Sequence, residues 1–544
     1  MSGVQVVGVH PGAELRRRQS LFAALAEAFP GVRFEGREAG ERAGLAALIE
    51  LGGEGEARSA AGAGLRALAA LAPERDPGPA AAVELAAGTS LDRRLHGQAL
   101  PDRHLDGIPA PAPGEGAEVL ARRAGAPVWV REGRLDLVAA VAAELCPGEP
   151  LRDRLGRERS LALLPLVELL RELTDEQAWS PPPLRAAFLL DDPNLHWPSY
   201  GFLSLPGLRR HAEEHGYHLA LAMVPLDARV AHPGAARLLR EGSAISLCVH
   251  GNDHFGGELG RAREEGEALA LAAQARRRIA AFERRTGVPV SPLMVPPHEE
   301  CSEAMAAALA RTGFAAISMT RPFPWLSPPP LHWLSAGEES GALSGWEPAD
   351  VAAGGMPVLL RHPFADAHFS PAELALRAYL DQPLVLYGHH DDLAEGLDIL
   401  AERSAAVNRL GPVRWGSLGA IAAANLRWRL EGDLLRLRPY SRRVTVEVPA
   451  GARHVVVEPP WDAGGEVVEG PSGAVPVGEP FEVHTTGQLN LSLRRSDAVD
   501  PEAVPPPRRR PAAIARRLAG ETRDRLAPAR RRLRAGPLQP PRGR

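Results

Sequence analysis

Phe188-Leu189-Leu190-Asp191-Asp192-Pro193 decides how this chain is read: an apolar run of strand length closed by two adjacent carboxylates. A second run, Ile245 to Val249, closes on His250-Gly251-Asn252-Asp253-His254. Two carboxylates at one strand end and two imidazoles at another can converge on one divalent cation. An ion such as zinc takes Asp oxygen and His nitrogen from three residues and keeps a further position open for water or substrate. Asp192, His250 and His254 make that set, and the four-residue spacing of the histidines puts both rings on one side of a helical turn. Asp191 is then left to accept a proton from the attacking water. Each motif alone has a plainer reading, since Asp-Asp-Pro often makes a turn and two histidines four apart arise by chance. The surrounding pattern tips the balance.

From about residue 184 to 430 a rhythm of strand, polar cluster and helix repeats. The apolar runs are Arg185 to Leu190, Leu219 to Val224, Ser243 to Val249, Val290 to Val295, Ala315 to Met319, Val358 to Leu360 and Leu384 to Tyr387. They end in turn at Asp191-Asp192, Pro225, His250, Pro296-Pro297-His298-Glu299-Glu300, Thr320-Arg321, Arg361-His362 and Gly388-His389-His390-Asp391-Asp392. Helices are expected between them, one from about Arg261 to Arg285 stopped by Gly287 and Pro289, another opened by the capping box Ser370-Pro371-Ala372-Glu373. Seven strands, each followed by a polar cluster, predict a (β/α) barrel with its active site at the carboxyl ends of the strands.

Outside that region the pattern changes. Residues 1 to about 175 suggest strands at Val4 to Val9, Ala47 to Leu51 and Pro127 to Val130, and helices at Leu15 to Phe29, Leu135 to Leu145 and Leu161 to Leu173. They predict a small α/β domain with a mostly parallel sheet, bounded by Pro181-Pro182-Pro183. The turn Gly8-Val9-His10-Pro11-Gly12 lacks the glycine spacing of a dinucleotide fingerprint, so no nucleotide cofactor is assigned. Residues 431 to 495 alternate with period two in Arg443 to Val448, Phe481 to Thr485 and Leu489 to Leu493, and predict a small antiparallel β domain. Residues 496 to 544, rich in Pro and Arg, are expected to be disordered, with at most a transient helix around Ile514 to Leu526.

A length of 544 residues suggests roughly three folded units, and 45% apolar with 24% charged residues is the composition of a soluble globular protein. No lysine occurs. Residues 501 to 544 carry thirteen Arg against Glu502, Glu521 and Asp524, so a formal total of −4 leaves the preceding 500 residues strongly acidic. This basic end leaves weak contact with an anionic surface open; no nucleic acid is assigned as a partner. Cys146, Cys248 and Cys301 make no disulfide framework, Met1 to His10 lacks a secretory pattern, and no apolar run is long enough to span a bilayer. The expected location is the cytoplasm.

In chain order the motifs resemble those of the polysaccharide deacetylase superfamily, the NodB-homology or carbohydrate esterase family 4 group, over roughly residues 184 to 430. The resemblance implies a distorted (β/α) barrel of NodB type that binds a divalent metal, usually zinc, and removes N-acetyl groups from sugars. The family's paired aspartates fall on Asp191, resembling the general base, and Asp192, resembling a metal ligand. Its His-Ser/Thr-x-x-His motif falls on His250 to His254, with Gly251 at the hydroxyl position. Its Leu-x-His motif, which carries the general acid, falls near Leu386-Tyr387-Gly388-His389-His390, where one inserted residue leaves either His389 or His390 as the acid. The Arg-x-Pro motif corresponds best to Val295-Pro296-Pro297-His298, which has no arginine; Arg361 or Arg321 is available to replace it, with His298 and Glu299 then lining the pocket. The family's Asp-x-x-Asp-Trp motif is not evident.

The substrate-binding candidates are therefore His298, Arg361 and Trp197, with Tyr200, Trp325 and Trp346 able either to stack on sugar faces or to pack over the mouth. His196 reads as a structural loop residue, and Cys248 and Cys301 as packed thiols. The expected function is metal-dependent removal of an acyl group from an N-acylated sugar or related amide. The alternative is a non-catalytic glycan-binding or scaffolding module; the missing arginine motif favours it, and the Asp-Asp and His-x-x-x-His motifs oppose it.

Overall fold

The computed structural model describes the chain except residues 1–3, 30, 72–80, 103–110, 147–148, 150, 157–159, 175–178, 262–263, 321–346, 366–368, 472, 484–486, 509–510 and 536–544. At its centre are β1 Arg185–Asp191, β2 Leu219–Met223, β3 Ile245–His250, β4 Val290–Val295, β5 Ala316–Met319, β6 Met356–Pro363 and β7 Leu384–Gly388. These pair in chain order, all parallel, and β1 pairs with both β2 and β7, so the sheet closes into the expected seven-stranded barrel. A two-residue strand, Arg414–Trp415, adds to the start of β1.

Strand alternation explains both the core and the site. Ala186, Phe188 and Leu190 face outward and pack with helix residues such as Leu208, Ile279, Phe282 and Leu309. Ala187 and Leu189 face inward with Ala220, Ala222, Cys248, Leu293, Val295, Ala316, Leu359 and Val385. Alanine at four of these inward positions suits the narrow bore of a seven-stranded barrel. Two residues beyond Leu189, Cys248, Leu359 and Val385 come Asp191, His250, Arg361 and Tyr387, so the inward file ends in a polar top layer. The neighbouring His362 has the opposite parity; its Nδ1 lies 3.2 Å from Glu373 on the helix Pro371–Tyr379.

Local signals set the helix ends. The 22-residue helix Glu265–Thr286 stops at Gly287, which takes a left-handed φ of +67° that a side chain would resist. Ser370 accepts a hydrogen bond from the Glu373 N–H, and Pro371 opens the next helix.

The N-terminal sheet has nine strands, in the order Val32–Gly36, Gln5–His10, Ala47–Leu51, Arg66–Ala70, Leu135–Val138, Ala126–Glu132, Glu118–Arg123, Ala81–Leu85 and Ala99–Asp102. The first five are parallel and the rest antiparallel, so it is half rather than mostly parallel. Leu135 to Leu145, expected as a helix, instead begins with the strand Leu135–Val138. The turn at Gly133, with φ +59°, returns the chain onto Ala126–Glu132, and buried Asp136 takes Arg66 at 2.9 Å and Arg131 at 2.8 Å. Apolar content alone does not carry that hairpin.

After the barrel come two four-stranded sheets, one built on Leu426–Glu431 and Leu434–Pro439, the other on Arg443–Glu447 and Gln488–Arg494. All their pairings are antiparallel except that of Leu434–Pro439 with His454–Val457. The two faces enclose Leu435, Leu437, Val444, Val455, Val457, Leu489 and Leu491.

Pro511–Ala535 is a helix, not the disordered tail that its composition suggests. It lies across the barrel mouth, with Ala513 buried among Val224, Leu226 and Phe255. The arginines that argued for disorder find acceptors there: Arg517 on Asp192 and Asp227, Arg525 on the Ser199 carbonyl and Asn194. Among the described residues no helix is long and apolar enough to cross a membrane.

Candidate active site at the barrel mouth

Asp192, His250 and His254 converge. Their ligand atoms lie within 4.8 Å of one another, with Asp192 Oδ1 at 3.4 Å from His254 Nε2 and 3.9 Å from His250 Nε2. His250 Nδ1 sits 2.9 Å from the Val295 carbonyl, which fixes the ring and leaves Nε2 for the centre.

The route to this convergence differs from the helical turn expected. Residues 251–254 are a loop in which Gly251 (φ +60°) and His254 (φ +51°) are both left-handed. A Cβ at Gly251 would lie 2.3 Å from Glu258 Oε1 and 2.6 Å from Pro297, so no hydroxyl residue fits there. The loop wraps around the Glu258 carboxylate, which is fully buried and accepts the N–H groups of Asn252 (2.6 Å), Asp253 (2.9 Å) and His254 (2.8 Å). Burial raises the Glu258 carboxyl pKa even against these three donors.

Charge at the centre follows from what is packed there. Burial alone would raise the Asp192 carboxyl, but His250, His254 and Arg517 outweigh it and bring the pKa down to about 2. Burial, with His250 alongside, lowers His254 to about 4 and keeps its imidazole in the neutral, ligating form at ordinary pH. One carboxylate and two imidazoles, one of them oriented by a backbone carbonyl, are donors that fit a three-ligand catalytic zinc site.

Asp191 lies beside the triad, 2% exposed, and both its oxygens meet Arg361 Nη1, at 2.9 and 3.0 Å. Arg361, equally buried, also donates from Nε to Glu299 Oε1 at 2.8 Å and stacks 4.1 Å over the Tyr387 ring. Glu299 Oε2 in turn accepts the Thr320 N–H at 2.6 Å. Burial works against the Arg361 charge, but Asp191 and Glu299 keep its pKa above the ordinary arginine value. Arg361 thus faces Asp191 from β6, with its guanidinium turned inward onto carboxylates. Arg321, Trp325 and Trp346 lie outside the described residues.

The two histidines after β7 separate by environment. His390 is buried between Tyr200 and Phe202, its Nδ1 3.2 Å from Asp391 and its Nε2 3.7 Å from Asp524. Gly201, at φ +52°, lies against this ring so closely that a Cβ would come within 2.4 Å of Nδ1. His389 is exposed, and its charge contributes to lowering the Asp192 pKa. His298 is exposed with its ring 5.0 Å from that of His254, and Trp197, 57% exposed, stacks on His232. Cys248 and Cys301 are buried, and burial pushes the Cys301 thiol up to about 12, which makes both packed thiols.

Six non-glycine residues have left-handed backbone among the described residues, and Asp192, His254, His298 and Glu299 are four of them. Strain of this kind persists where the surroundings over-determine the backbone, and here it marks the mouth.

The C-terminal helix supplies groups that no local sequence pattern indicated. Arg517 donates to Asp192 Oδ1 at 3.0 Å and to Asp227 at 3.1 Å. Asp524 accepts the Tyr200 hydroxyl at 2.7 Å, and Glu521 lies 2.9 Å from His196 Nδ1. Burial raises the Tyr200 pKa, reinforced by Asp524.

The chain is similar to solved proteins described as polysaccharide deacetylases or carbohydrate esterases. One, from Mycobacterium smegmatis and described as such a deacetylase, is 16% identical over 44% of this chain and 96% of its own, with a TM-score of 0.26. A family 4 carbohydrate esterase from Streptomyces lividans, solved with acetate, is 14% identical over 43% of this chain and 87% of its own, at 0.24. A peptidoglycan deacetylase from Bacillus subtilis is 14% identical over 41% of this chain and 94% of its own, at 0.20. No family model and no curated protein matches the sequence.

Proposed function

We propose that the barrel is a metal-dependent amide hydrolase that removes an acyl group, N-acetyl in the first instance, from a sugar or a related amide. The observation that carries this reading is the meeting of Asp192, His250 and His254 with Asp191 held beside them. A divalent cation bound by those three would polarise the acyl carbonyl and acidify the attacking water. Asp191 takes the proton from that water, and Arg361 keeps its carboxylate aimed at the mouth. Glu299 performs the same service for Arg361. His389 hands a proton to the departing amine, which would otherwise leave as an amide anion far too basic to be expelled. His390 is the weaker choice for this acid, since Asp391 and Asp524 flank its two nitrogens.

A second reading has one observation in its favour. Arg517 already neutralises Asp192, as it would in a binding module that needs no metal. Metal analysis of the purified chain, of Asp192→Ala and of His250→Ala, with acetate release from N-acetylated sugars, separates the two. Near-stoichiometric zinc that both substitutions remove, together with acetate release, is the expected result; no metal, or metal without hydrolysis over a broad amide panel, favours the module.

A further inference from the structure

The C-terminal helix has two faces with different chemistry. The docked face carries Ala513, Arg517, Glu521, Asp524 and Arg525, spaced by three and four residues, and all are buried or half-buried against the mouth. The opposite face is open. Seven large hydrophobic residues are exposed among the described residues, and four of them lie here: Ile514 (45%), Leu518 (57%), Leu526 (44%) and Leu533 (84%). A helix whose outer face meets only water carries polar side chains there.

Arginines border this stripe. Arg516, Arg523 and Arg530 recur every seven residues and so line one edge, while Arg532 borders the other. The helix holds eight Arg against two acids, and both acids face the mouth, Glu521 toward His196 and Asp524 toward Tyr200. What remains outward is an apolar stripe between cationic edges. Apolar side chains at the acyl boundary, with guanidinium groups among phosphates, is how a helix lies in the plane of an anionic bilayer. A nucleic acid would use the arginines but leave the leucines in water.

We propose that this face of the Pro511–Ala535 helix rests on an anionic lipid surface, which would hold the barrel mouth against the membrane because the docked face is anchored there. The inference does not depend on the reaction proposed above. The test is co-sedimentation of the full-length chain with phosphatidylcholine vesicles and with an equimolar phosphatidylcholine–phosphatidylglycerol mixture. Binding to the anionic vesicles is expected, weakening with salt. Leu518→Asp/Leu526→Asp should weaken it by about tenfold or more, and each of Arg516→Gln, Arg523→Gln and Arg530→Gln by about fivefold. Circular dichroism of each variant establishes that it is folded, and the arginine series, which leaves the stripe intact, keeps the test decisive if the double variant is not. No binding to anionic vesicles at low salt overturns the proposal. So does equal binding by the variants, a wild-type dimer that the leucine substitutions dissociate, or binding to RNA that those substitutions leave unchanged.

Discussion

Replacing Arg517 should tighten metal binding. Its Nη1 is 3.0 Å from the Asp192 oxygen that also faces both histidines. A zinc–carboxylate bond is about 2 Å long, so a cation on that oxygen lies within about 5 Å of the guanidinium. At such a separation a unit charge and a dication repel by roughly 2 kcal/mol in water-like surroundings and by several times more at an effective dielectric of about 20. The Asp192 side chain keeps 25% of its exposure, and Arg517 can shift toward Asp227, so the lower end of that range applies. Arg517→Gln should therefore bind zinc about 10- to 30-fold more tightly than the parent chain. Titration calorimetry or competition with a chelator measures this, with Arg517→Lys, which keeps the charge, as the control. Unchanged or weaker binding in Arg517→Gln would refute the argument that guanidinium and metal compete for one oxygen. Absence of binding in every variant would instead refute the metal site itself.

Three further outcomes follow from the same geometry. Arg361→Met leaves the Asp191 and Glu299 carboxylates without their buried cation and should cost about 3–5 kcal/mol; calorimetry should show the barrel transition lowered by roughly 6–20 °C, and a drop of no more than about 2 °C would contradict it. Glu258→Ala removes the acceptor of three loop N–H groups and should weaken zinc binding roughly 10- to 100-fold without changing a ligand, a prediction that an unaltered titration curve would end. The third outcome concerns pH. Burial would raise the Glu373 carboxyl, but Arg377 and His362 bring it from 4.5 down to about 2. A depressed folded-state pKa contributes stability that is complete above the unfolded value and is lost as pH falls toward the folded one, here about 3 kcal/mol between roughly pH 4.5 and 2. Denaturant melts across that window should show Glu373→Gln flatter than the parent chain, and parallel curves would rule the linkage out.

Much of the barrel was legible because each strand is a short apolar run that stops at a polar cluster. Val290–Val295 has the bounds expected from sequence, and Arg185–Asp191 and Leu384–Gly388 each extend one residue further. The centre was legible for the same reason: a period of two carries Leu189 to Asp191 and Cys248 to His250 on one inward file. The shape of the loop after β3 was not. Two histidines four apart fit a helical turn, and what forbids it here is Glu258, whose carboxylate gathers the backbone of residues 252 to 254 into a turn that needs Gly251. The partner of Asp191 was open between Arg321 and Arg361 because both follow strands of like pattern. Strand order in space settles the contact, since β6 lies beside β7, which pairs with β1.

The terminal helix shows where composition fails as a guide. The expectation of disorder rests on average charge and proline content, quantities that ignore order along the chain. The order was informative: Ala513, Arg517, Glu521 and Asp524 fall on one helical face, and Ile514, Leu518 and Leu526 on another. Nothing local identifies the acceptors, because Arg517 reaches Asp192 across 325 positions and Asp524 reaches Tyr200 across 324. A basic segment that looks self-repelling in isolation is stabilised once it meets a mouth lined by Asp192 and Asp227. The same pairing explains why the helix covers the site and no other part of the barrel: a given total of charge can be met anywhere, but the fork of one guanidinium over two carboxylates can be met only where Asp192 and Asp227 stand together.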